Sequence, residues 1–99
     1  MSETIQQLVD RALEAYERLA ELGEEVEDEW SYVNDLAGAW RERLSEVGAQ
    51  REAQSTPEGA GVAVDRAIAE ISLIADPHRA IDWLSTFPQV VLLALGELP

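Results

Sequence analysis

Carboxylates are the one kind of reactive side chain this sequence supplies in quantity. Asp10, Glu14, Glu17, Glu21, Glu24 and Asp28 recur at steps of three and four residues, and Glu25, Glu27 and Glu29 thicken the run. On a helix such neighbours stand about 5–6 Å apart, comparable with the phosphate spacing along one nucleic-acid strand. The stripe could therefore imitate a nucleic-acid backbone toward a basic protein. Its simpler role is a solvated face that keeps the chain in solution.

Glu14/Glu17, Glu21/Glu24 and Glu25/Asp28 are also pairs three residues apart. Helical bundles use that spacing to hold magnesium or iron, with the ligands projecting into the bundle. Here the acids lie off the apolar face, and the Glu-x-x-His element of a di-iron site is missing. His78 is the single histidine, two residues after Asp76 and four before Asp82. One turn of helix could bring His78 and Asp82 together, but two ligands do not make a transition-metal site, and a general base needs a substrate or nucleophile beside it.

There is no cysteine and no lysine, so disulfides, thiolate chemistry, cysteine-bound zinc and Schiff bases are excluded. Gly59-Ala60-Gly61 lacks the third glycine and the preceding strand of a dinucleotide loop. No catalytic, cofactor-binding or metal-binding residue is assigned on this basis, and no motif carries a resemblance to a known family.

The remaining chemistry is recognition. Besides Tyr16, the N-terminal half carries the aromatics Trp30, Tyr32 and Trp40, with Arg41 and Arg43 beside Trp40. Tryptophan and arginine at a partner-facing surface dominate binding energy. Twenty acidic residues against seven basic ones give a net charge of −13. Direct nucleic-acid binding is excluded by that balance, since it requires a basic face. The longest apolar run, Val90 to Leu95, is too short for a membrane span. The acidic opening has neither the basic nor the apolar region of a signal peptide, so a soluble, cytoplasmic protein is expected.

The elements that must carry these residues follow from periodicity. Ile5, Val9, Ala12, Tyr16, Leu19, Gly23, Val26, Trp30, Val33, Ala37, Trp40, Leu44 and Val47 alternate by four and three, the period of a coiled-coil seam. Leu8, Ala15, Leu22 and Leu36 widen the stripe toward a bundle. The unbroken phase predicts one long helix over residues 4–50, bent at Gly23, in preference to a hairpin turning there. Residues 48–61, with three glycines and Pro57, read as a loop. Residues 62–96 read as shorter helices, capped at Asp76-Pro77, interrupted at Pro88 and ending at Gly96. The fold class is all-α, a single helical domain over residues 1–99.

A 47-residue helix would be about 70 Å long, well beyond the diameter of a 99-residue globule, whose radius of gyration is about 13 Å. Its ends would expose apolar residues, which predicts a homo-oligomer, most simply an antiparallel dimer. The expected interface comprises Trp30, Trp40, Leu44, Val47, Val90, Val91, Leu92 and Leu95. The expected function is a non-enzymatic acidic interaction or oligomerisation module, acting on itself or on a protein with a basic or apolar surface. A nucleic-acid-mimicking inhibitor is the alternative, followed by a carboxylate-rich metal protein or all-α enzyme subunit.

Overall fold

Thr4 opens the first helix with reciprocal caps. Its hydroxyl accepts from the Gln7 amide at 3.2 Å, and the Gln7 side chain accepts from the Thr4 amide at 2.9 Å. The computed structural model describes residues 3–98. Within them lie α1 (Ile5–Gly23), a single 3-10 turn at Glu27–Glu29, α2 (Trp30–Gln50), α3 (Ala60–Ser72) and α4 (Pro77–Ala94). The only extended pairing among the described residues is a bridge between Thr4 and Ser55. The fold is an all-α bundle, as expected.

The long helix is not formed. α1 ends at Gly23, and the chain reverses through residues 24–29 into α2. Glu25 and Val26 donate to the Leu22 and Gly23 carbonyls, both at 3.2 Å, so the last turn tightens to three residues before Val26 becomes extended. Charge favours the break. Continuing the helix would stack Glu21, Glu24, Glu25, Asp28 and Glu29 one turn apart, with repulsion at each step. The turn instead places Glu27, Asp28 and Glu29 at the N-terminus of α2, where the helix dipole favours negative charge.

Gly23 does not supply a left-handed cap either, because among the described residues only Gly59 and Gly96 have positive φ. It supplies space. A Cβ there would lie 3.3 Å from Ile81 Cγ1 and 3.5 Å from Val33 Cγ1, so its bare backbone lets α4 and α2 close on α1.

The loop ahead of α3 covers residues 51–59, shorter at both ends than the expected 48–61, because α2 runs on to Gln50. Gly59, at φ 83°, turns the chain, and α3 begins at Ala60. Asp76 then caps α4 by accepting from the His78 amide at 3.1 Å, with Pro77 in the first turn.

Pro88, expected to interrupt the chain, lies inside a continuous α4. A proline there strips the carbonyl four residues earlier of its amide donor. That carbonyl belongs to Leu84, and the Tyr16 hydroxyl donates to it at 2.7 Å from α1. Tyr16 is fully buried and stacks on Phe87, with ring centroids 6.2 Å apart.

α1 packs against all three other helices, with α2 and α3 flanking the α1–α4 pair. The result measures 43 × 24 × 23 Å, not the length of an extended rod. The helices alternate in direction. One pole gathers residues 23–30 and 72–77; the other gathers residues 3–5, 50–60 and 95–98.

Candidate interaction surface

The expected interface residues divide sharply. Leu44, Val47, Val91, Leu92 and Leu95 are buried in the chain's own core, while Trp40 and Val90 are half-buried against it. The reason is the break at Gly23. Once α2 folds back on α1, the second half of the seam covers the first, and α4 covers both. Trp30 alone of the eight is exposed, at 54%, with Tyr32 at 53% two residues on. Val26 and Trp30 are the seam positions that the turn carries out of the core.

The acidic stripe also divides. Asp10, Glu14, Glu17 and Glu21 lie on α1, whereas Glu24 and Asp28 fall in the turn beyond its end. Glu17 pairs with Arg41 of α2 and is thereby neutralised. The stripe is thus interrupted at Glu17 and leaves α1 after Glu21. Among the described residues, no three histidine, cysteine or acidic side chains gather as a metal-ligand group. His78 is exposed in the first turn of α4, with Nδ1 3.6 Å from Asp76 instead of Asp82.

Two arginines hold the opposite pole. Arg11 donates through Nε and one terminal nitrogen to the two Glu3 oxygens at 2.7 and 3.0 Å, pairs with Asp65 of α3, and reaches the Gly61 carbonyl at 3.4 Å. The bonds to Glu3, reinforced by Asp65, hold its guanidinium above the usual range despite partial burial. Arg51 donates to the Leu95 carbonyl at 2.9 Å and to Glu97 at 2.7 Å. These contacts are structural ties.

The main concave surface lies elsewhere. α1 and α3 run side by side with a cleft of about 330 Å³ between them. Leu19 and Ile71 form its floor, and Ala15, Leu22, Ile68 and Ile74 form its walls. A shallower continuation reaches back to Arg11 and Asp65 through Ala15, Arg18 and Ile68. Glu14, Glu21 and Glu25 rim the cleft on the α1 side. Leu73, 84% exposed, is the most exposed large apolar residue among those described and lies on the α4 side of α3, with Arg79 and Trp83. Ala15 and Leu22 are two of the four residues that widen the seam in the sequence. Their periodicity marked a neighbour on that side, and α3 covers them only in part. Nothing in the sequence marked Leu73, whose exposure comes from its place at the last turn of α3.

No family model, curated protein or solved structure matches the chain. No helix among the described residues is long and apolar enough to cross a membrane.

Proposed function

We propose that this chain is a non-enzymatic protein-interaction module that recognises a partner with a basic, partly apolar surface. One observation carries the reading. At a single pole of the bundle, exposed Trp30, Tyr32 and Leu73 stand beside a turn holding five acids between Glu24 and Glu29. Elsewhere the large side chains of the seam go into the core. Exposed aromatic and aliphatic groups beside carboxylates offer a partner both buried area and charge steering. A cytoplasmic location accords with this reading, because a cysteine-free chain gains nothing from an oxidising compartment.

The test is affinity capture of partners by the native chain and by a Trp30→Ala/Leu73→Ala variant. A basic partner, identified by mass spectrometry and retained only by the native chain, is the expected result. An identical set of captured proteins for both chains would overturn the proposal. A second copy is the competing occupant, and light scattering reads it directly.

A further inference from the structure

We infer that the cleft between α1 and α3 is the docking site for one amphipathic helix of a partner, apolar on its inner face and lysine- or arginine-rich on its flanks. The inference rests on the interaction reading above and gives it a site and a ligand shape.

Three features point to this occupant. The first is form: the cleft runs along parallel helix surfaces from the level of Arg11 to that of Glu25, roughly 20 Å at 1.5 Å per residue. A helix of about four turns fills such a length, using anchors at i, i+3, i+4 and i+7. The second is its lining. Ala15 is the small residue shared by both stretches of the cleft, leaving room above Leu19, while Leu22, Ile68 and Ile74 offer pockets for branched side chains.

The third is charge. Glu14, Glu21 and Glu25 on the rim make no ion pair among the described residues, and Arg18 is the one basic residue there besides the neutralised Arg11. A basic flank on the incoming helix meets these carboxylates. A second copy of this chain, with a net charge of −13, would instead be repelled.

The probe is a synthetic helical peptide of roughly 16 residues, with leucine at the anchor spacing and lysine on both flanks. Its control has glutamate in place of lysine. Binding to the full chain is measured by calorimetry and mapped by amide chemical shifts. The lysine peptide should bind, weaken with added salt, and shift residues around Ala15, Leu22, Ile68 and Ile74. Ala15→Arg, which fills the cleft, should weaken binding at least about tenfold. Glu21→Lys/Glu25→Lys, at exposed positions that leave packing untouched, should do the same.

No binding of the lysine peptide would overturn the assignment, as would equal binding of the glutamate peptide. Binding that both variants retain, mapped to Trp30 and Tyr32, would also overturn the cleft while leaving the broader interaction reading standing. Circular dichroism and melting of each variant separate lost binding from lost folding.

Discussion

The Tyr16 hydroxyl of α1 donates to the Leu84 carbonyl of α4, the acceptor that Pro88 deprives of its helical amide. One bond thus satisfies a buried phenol and a buried carbonyl together. It also sets the register of the two helices at the centre of the bundle.

Tyr16→Phe should destabilise the fold by about 1–3 kcal/mol, the cost of leaving a buried acceptor unpaired. For a domain of this size that lowers the melting temperature by roughly 4–8 °C per kcal/mol. In a Pro88→Ala background the restored amide can serve Leu84, so the same substitution should cost clearly less. Equal costs in both backgrounds, measured by urea titration, would show that the two residues are not coupled.

Burial also pushes the Tyr16 phenol well above its usual range. The folded chain then keeps this proton where an unfolded chain, titrating near pH 10, loses it. The unfolded state binds fewer protons there, so this contribution to stability is complete below about pH 10 and declines as pH rises further. In a Tyr32→Phe variant Tyr16 is the only tyrosine. Its ionisation, followed by ultraviolet absorbance, should coincide with alkaline loss of helix by circular dichroism. An ordinary titration with the helices intact would contradict the buried hydrogen bond.

Gly23 distinguishes a turn with close packing from a bent rod. Gly23→Ala gains helix propensity of about 1 kcal/mol but crowds Ile81, leaving a net change within about 1 kcal/mol. Gly23→Val adds methyl groups against Ile81 and Val33 and should cost about 1–3 kcal/mol through overpacking. In a continuous helix with an open face, both substitutions would raise the melting temperature.

Arg51→Ala should cost about 1–2 kcal/mol, since charge-assisted bonds are worth more than neutral ones but this guanidinium is partly exposed. Hydrogen exchange should quicken at residues 95–97. Lysine should restore little, because one planar group serves Gln54, Leu95 and Glu97.

Light scattering behind a sizing column should give the mass of one chain, 10.9 kDa, at micromolar concentration. The case for a dimer rested on an uncovered seam, and Ile5, Val9, Leu44 and Val47 are fully buried within one chain. A stable mass of two chains would show that the remaining exposed surface suffices for self-association.

The helical class, the Asp76 cap and the stop at Gly96 were legible because each rests on local chemistry. The turn after Gly23 was hidden because helices on either side of a reversal can share a phase when the connection carries the right number of residues. One signal was electrostatic: the run of like charges from Glu21 to Glu29 opposes a continuous helix by about 0.2–0.5 kcal/mol at each step, and folding back lets the two halves of the seam bury each other. Pro88 misled for a different reason. Its cost is met by Tyr16, 72 positions earlier, a relationship that no local pattern encodes. At the candidate surface, Trp30 was legible as an aromatic on the seam. The cleft was legible only as the extra width at Ala15 and Leu22, because its other wall comes from α3.

The pairing of Thr4 with Ser55 and the tie from Arg51 to Glu97 bring residues 3–5 and 95–97 to the same pole. The path of the backbone is therefore nearly a closed ring. A flexible linker joining Leu98 to Glu3, with new termini opened in residues 24–29, would leave every helix–helix contact in place. Such a rearranged gene should encode the same bundle: the order in which the ribosome delivers these helices is separable from the way they pack.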